Sequence, residues 1–265
     1  MSDGFVDIHC HLLPGIDDGS TDWDTTLAMA QMAVEDGTET IIVTPHQLGN
    51  FAHNRGDDIR RRTEELQQVL EQHRIPLQVL PGGDVRIEDG MIEQLANGTV
   101  LSLGDLRTHV LLELPHELYF PMEGLLSALE LQGMTGILSH PERNRGLLRE
   151  SNLLPNLVQN GCLMQVTAGS LMGTFGSQSQ QLAEWMITQG LVHFVATDAH
   201  GIKSRRPLMQ RAFERVQELA GKATARRVCI QNPGLVASGK QVRVGRVSVP
   251  RQGWRSLFSS KKKVA

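Results

Sequence analysis

Short apolar runs alternate with longer amphipathic stretches along this chain, and most of the runs close on a histidine or an acid. Seven of them read as strands: "GFVDIHCH" from residue 4, "TIIVTPH" from 40, "LQVLPGGDV" from 77, "HVLLELPH" from 109, "TGILSH" from 135, "CLMQVTAG" from 162 and "VHFVATDAH" from 192. The stretches between them have helical spacing. Asp22 is placed to cap a helix that reaches Val34 and stops at Gly37. "DDIRRRTEELQQVLEQHR" sets Ile59, Leu66, Val69 and Leu70 on one stripe. Further helices are expected over about 123–132, 151–160, 178–189 and 205–219. Seven strand–helix repeats without a Pro- or Gly-rich linker imply one α/β domain, most simply a closed or nearly closed β/α barrel. An open doubly wound sheet is the alternative.

In parallel α/β architectures the carboxyl ends of the strands gather on one face, where active sites form. The residues at those ends here are His9 and His11, His46, Asp84, Glu113, His140, then Asp198 and His200. Five of the ten histidines occupy such positions, more than chance placement explains.

"VDIHCHLLPGIDDG", residues 6–19, admits two chemistries. A thiol phosphatase with Cys10 as nucleophile needs an Arg after five further residues to grip phosphate. Ile16 stands there, and no Lys or Arg occurs between Cys10 and Arg55 to lower the thiol pKa. Strand alternation also turns Cys10 away from His9 and His11, so Cys10 reads as a buried core residue. His9 and His11, two apart on a strand, project to one side and suit a cation. Asp17 and Asp18 equally suit a turn. The recurrence of "TPH", "GGDV", "LLELPH", "SHPERN" and "TDAH" at later strand ends favours the metal reading.

With "DIHCHLLPGIDDG", those motifs resemble the polymerase-and-histidinol-phosphatase (PHP) superfamily, and within it the metal-dependent bacterial protein-tyrosine phosphatases of the CpsB/YwqE type. The resemblance runs from about Asp7 to Val236. It implies a distorted (β/α)7-type, TIM-like barrel holding two or three divalent metals, usually manganese, with iron, zinc or magnesium as alternatives. By position, His9, His11 and Asp198 would hold one metal. Glu113 and His140 would hold a second, with Asp84 bridging. Asp18, His46 and His200 would complete a third site. Asp84 stands where the family usually has Glu, one methylene longer; Glu88 is the nearest substitute. Arg143 and Arg205 would grip the substrate phosphate, with Arg206 as the neighbouring register.

The implied reaction is direct attack of metal-bound hydroxide on a phosphotyrosyl protein, without a phosphoenzyme intermediate. Metals lower the pKa of water and neutralise phosphoryl charge. Tyrosine's phenolate, with a reference pKa of about 10, leaves with little help from an acid. His116 and Glu142 are the available proton donors, with Glu142 more readily a partner to other site residues. His53, His73, His109 and His193 read as surface or packing residues. The implied substrate is a membrane-anchored tyrosine autokinase of capsule or exopolysaccharide synthesis. A PHP phosphatase for histidinol phosphate or a nucleotide is the alternative, as is a metal-binding regulator without catalysis.

Residues 1–239 are expected to form the barrel and 240–265 a basic extension. That extension carries eight Lys or Arg and no acid, leaving 18 bases against 29 acids in the remainder. An acidic body is a poor nucleic-acid binder and suits a protein that gathers cations. The extension, with Trp254, Leu257, Phe258 and Lys261 to Lys263, is either a flexible end or a weak contact with an anionic membrane surface. The scattered cysteines Cys10, Cys162 and Cys229, and the lack of a basic-then-apolar start, fit the cytoplasm.

Overall fold

The computed structural model describes residues 4–242, so the expectations for 243–265 lie outside the described residues. Among the described residues there are nine parallel strands: β1 Phe5–Cys10, β2 Thr38–Val43, β3 His46–Gln47, β4 Gln78–Pro81, β5 Asp84–Arg86, β6 His109–Glu113, β7 Thr135–Ser139, β8 Leu163–Thr167 and β9 Phe194–Ala196. The seven expected runs account for all nine, because two of them break in the middle. Pro45 lacks the N–H that would continue the β2 ladder, and β3 restarts beyond it. Gly82 and Gly83 part β4 from β5; a Cβ on Gly83 would fall 2.3 Å from Gln47 Oε1, so only glycine lets the two runs lie this close.

The breaks divide the pairing between two sheets, β1-β2-β4 and β3-β5-β6-β7-β8-β9. Backbone bonds link them at two seams. Asp84 N donates to Pro45 O at 3.1 Å, while Asp198 N donates to His9 O at 2.7 Å and His11 N to Ala199 O at 2.9 Å. The outcome is a mixed α/β fold of two joined parallel sheets rather than one continuous ladder.

Strand side chains from both sheets meet in an inner core of Val6, Ile8, Ile42, Leu111, Ile137 and Phe194. Helices α1 Trp23–Glu35 and α2 Gly56–Gln72 pack outside, joining Met29, Ile59, Leu66 and Leu70 to Cys10 and Ile41. Asp22 caps α1 through Thr25 N, as its sequence position implies. Val69 is only half-buried; Thr63 takes its expected place on the buried face of α2. The short α3 Met91–Ala96 was not expected, and α4 Glu123–Leu131 was.

The expected helix over 151–160 is instead a 3-10 turn and a short helix, preceded by α5 Arg145–Arg149. α6 Leu154–Gln159 and α7 Ala168–Leu171 follow, then α8 Ser177–Thr188 close to expectation. α9 begins at Gln210 rather than 205, because Pro207 disfavours helix at the residue before it. The freed segment carries Arg205 back toward the strands. Among the described residues no helix is long and apolar enough to cross a membrane.

One irregularity in β1 sets up the site. Val6 and Ile8 belong to the inner core, whereas Cys10 and Leu12 belong to the outer one. Strict alternation would keep all four together; the β1–β2 register shifts between Asp7 and Cys10, and the shift changes the facing. Asp7 holds this irregularity, accepting from His9 N at 3.2 Å and Thr197 N at 3.0 Å, and from the Thr197 hydroxyl.

Candidate metal centre

The nine candidate ligands converge at the carboxyl ends of the strands. Their donor atoms form four overlapping groups, each within 4.8 Å: His9, His11 and Asp84; His9, His140 and Asp198; His46, Asp84 and Glu113; and His11, Asp18, His46 and His200. The last is the expected third site with His11 added. The expected pairing of Glu113 with His140 is looser, at 3.7 Å, and each of the two groups more closely with other ligands. Register explains part of the convergence: β3 sets His46 opposite Asp84, and β5 sets Arg86 opposite Glu113.

Turns deliver the remaining ligands. His140 and Asp198 both have left-handed backbones, φ 33° and 51°, which cost about 1 kcal/mol or more for a residue with a Cβ. Arg205 shares that conformation at φ 48°. Gly19 lies so close to His11 that a Cβ would fall 2.4 Å from the His11 Cβ, which accounts for the "DDG" turn.

Three histidines are oriented by bonds to the ring nitrogen that faces away from the cluster. His9 Nδ1 donates to Gln165 Oε1 at 2.9 Å, His11 Nδ1 to Asp17 Oδ2 at 2.7 Å, and His200 Nδ1 to Asp198 O at 3.0 Å. Their Nε2 atoms are left for the interior. Those of His9 and His11 stand 3.2 Å apart, an arrangement of lone pairs that calls for positive charge between them. His200 Nε2 and both oxygens of the fully buried Asp84 lack any hydrogen-bond partner. Orphaned buried donors of this kind, with mixed imidazole and carboxylate chemistry, fit divalent cations.

The electrostatics agree. Burial alone would discharge these groups, but the charges of Asp198 and Asp84 lift His9 to about 9, and contacts with Asp18 and Asp84 lift His46 to about 11. Against its own burial, Asp198 is held well below the ordinary carboxylate range by His9, His11 and Arg205. Glu113 moves the other way, up to about 7, through burial and the nearby Asp84 charge. His200 falls to about 4 through burial and the neighbouring His11. Protons on His9 and His46 thus supply positive charge that cations would otherwise bring.

Two arginines flank the cluster. Arg143 pairs with Asp198 Oδ2, and Arg205 reaches the same oxygen at 2.6 Å. Arg206 is exposed, so Arg205 is the residue at the cluster. The guanidinium of Arg143 also lies over the Phe175 ring, 4.0 Å from its centroid.

The other expectations divide. Cys10 is fully buried in the outer core, and burial pushes its thiol pKa well up. Glu142 is fully buried; its Oε1 accepts from Thr167 N at 2.9 Å and Ser170 Oγ at 2.7 Å, which ties the turn that carries Arg143 to β8 and α7. His116 is exposed. Glu88 accepts from Gly49 N at 3.1 Å and belongs to none of the four donor groups. His109 and His193 are buried packing residues, while His53 and His73 are exposed.

Three contributors were missed. Asp17 orients His11 and accepts from His46 N at 3.0 Å, tying two ligands together. Gln165 orients His9, and its signal was present: an amide within the apolar run "CLMQVTAG". Phe175 lies in "GTFGS", where nothing local marks it.

The chain belongs to the CpsB/CapC family of capsular polysaccharide synthesis, whose model matches residues 5–238. It is 40% identical over 202 residues to the tyrosine-protein phosphatase YwqE of Bacillus subtilis, covering 76% of this chain and 79% of that protein. It is 24% identical to the tyrosine-protein phosphatase CpsB of Streptococcus pneumoniae, over 86% of this chain and 96% of that one. A crystal structure from a study of those two proteins, described there as metal-dependent tyrosine phosphatases, superposes with a TM-score of 0.88 at 34% identity. It covers 93% of this chain and all of that one.

Proposed function

We propose that this protein is a metal-dependent phosphatase acting on phosphotyrosine in a protein substrate. The observation that carries the reading is the meeting of nine metal-ligand side chains with Arg143 and Arg205 around Asp198. In this reading residues 1–239 are the catalytic unit, with their two joined sheets in the role of the family's distorted seven-unit barrel, and they work in the cytoplasm. The family's link to capsular polysaccharide supports a membrane-anchored tyrosine autokinase as the substrate.

His9, His11, Asp18, His46, Asp84, Glu113, His140, Asp198 and His200 would hold two or three divalent cations; their mixed donors suit manganese, iron or zinc. Bound cations lower the pKa of water toward neutrality and neutralise charge on the phosphoryl group. Gln165 and Asp17 keep the imidazoles turned inward. Arg143 and Arg205 present fork-shaped donors that match phosphate oxygens, which Lys does not reproduce. The tyrosine phenolate, with a reference pKa of about 10, leaves without a strong acid. The buried Glu142 is bonded through Oε1 to Thr167 and Ser170, which supports its reading as a partner to other site residues.

The test is metal content measured beside turnover of a phosphotyrosyl peptide and of histidinol phosphate. The native chain should carry metal and favour the peptide strongly, and His9→Ala should lose metal and turnover together. A metal-loaded chain that favours histidinol phosphate, or cleaves neither, would refute the assignment.

A further inference from the structure

Beside the cluster an open cleft of about 550 Å³ runs between the turn after β7 and the start of α8. Arg143 belongs to both places: one guanidinium nitrogen pairs with Asp198, and the planar group lies over Phe175 in the cleft wall. The cleft therefore opens directly from the guanidinium that would hold phosphate. The volume far exceeds a phosphate and lies within the range of ligand pockets.

The charge of the cleft is unlike that of the molecule. Outside residues 240–265 the chain has 18 bases against 29 acids, yet the cleft is lined by Arg143, Arg145 and His116 and by no acid. Arg145 is well exposed, and among the described residues its only ion pair is with the equally exposed Glu117, at 3.1 Å. That pair is weak and exchangeable. The start of α8 forms part of the opposite wall and carries no side-chain cap.

We propose that this cleft binds the peptide around the phosphotyrosine, with the tyrosyl ring beside Phe175 and an acidic neighbouring side chain meeting Arg145 in place of Glu117. The assignment rests on the phosphatase reading and adds to it a sequence preference for acidic flanks.

The experiment uses the manganese-loaded full chain and two phosphotyrosyl peptides that differ only in Glu against Gln beside the phosphotyrosine. The native chain should favour the acidic peptide by about fivefold in kcat/KM, the effect appearing in KM and shrinking with salt. Arg145→Glu should abolish or reverse the preference. Glu117→Gln, which removes the competing carboxylate, should enlarge it. These opposite signs separate recognition from simple misfolding. Equal rates on the two peptides, or a preference that survives Arg145→Glu, overturn the cleft assignment alone. No hydrolysis of either peptide overturns it together with the phosphatase reading.

Discussion

Asp84 Oδ2 lies 3.2 Å from His46 Nδ1, and neither oxygen of this fully buried carboxylate makes a hydrogen bond. Its charge is balanced by the imidazolium rings of His9, at 3.5 Å, and His46, and a divalent cation would take over that role while satisfying both oxygens. Manganese at a hundred times its Kd should therefore stabilise the native chain by about 2.7 kcal/mol. Asp84→Asn should lose most of that increment. Thermal unfolding with chelator and with manganese measures it, and an equal rise in the variant contradicts the assignment.

Arg143 is expected to act on phosphate and not on metal. Arg143→Ala should retain its metals while turnover falls by about 10² to 10³, the usual loss for one donor to developing charge. Arg143→Lys should not restore it, because an ammonium lacks the fork. Metal analysis and steady-state kinetics on the same preparations decide the point.

Phe175 holds Arg143 through the face of its ring at 4.0 Å. Cation–π contacts of this kind are worth about 0.5–1 kcal/mol at exposed sites, so Phe175→Leu should lower kcat/KM about threefold, and Phe175→Trp should recover it. If Phe175→Leu leaves kcat/KM unchanged, the contact is incidental.

Cys10 is expected to take no part in the reaction. Its thiol is buried in apolar surroundings and held protonated. Activity should survive Cys10→Ser and thiol alkylation, and disappear with a chelator. Loss on alkylation of the folded protein would restore the thiol reading.

His193 makes a distinct prediction about acid stability. Burial lowers it to about 4, and its Nδ1 accepts from Met164 N at 3.1 Å as the neutral ring. The unfolded chain protonates near 6.5, so between those values it binds a proton that the folded chain does not. This group's contribution is thus present above pH 6.5 and is lost as pH falls toward 4, by about 3 kcal/mol. His193→Asn, which keeps an acceptor, should unfold in urea with a correspondingly shallower pH dependence over that window. Parallel curves for the two proteins would rule this out.

Much of the centre was legible because strand ends are a local signal. A short apolar run closing on His, Asp or Glu can be read within a few residues, and parallel α/β architecture brings such ends to one face. Eight of the nine ligand positions and the seven runs follow from that; Asp18 came only from the family resemblance, and the exclusion of Cys10 from the missing Arg at Ile16 and the lack of bases before Arg55. Tertiary structure decided what depends on distant partners. Gln165 orients His9 from 156 residues away, and Asp7 ties the β1 irregularity to Thr197, 190 residues on. Pro45 and the Gly82–Gly83 pair were visible as residues, but only packing against neighbouring strands turned them into breaks that divide the sheet. The choice of Arg205 over Arg206 likewise awaited the left-handed turn that aims it at Asp198. Residue chemistry is written along the chain, whereas the direction a side chain faces depends on bonds that form only after remote segments meet.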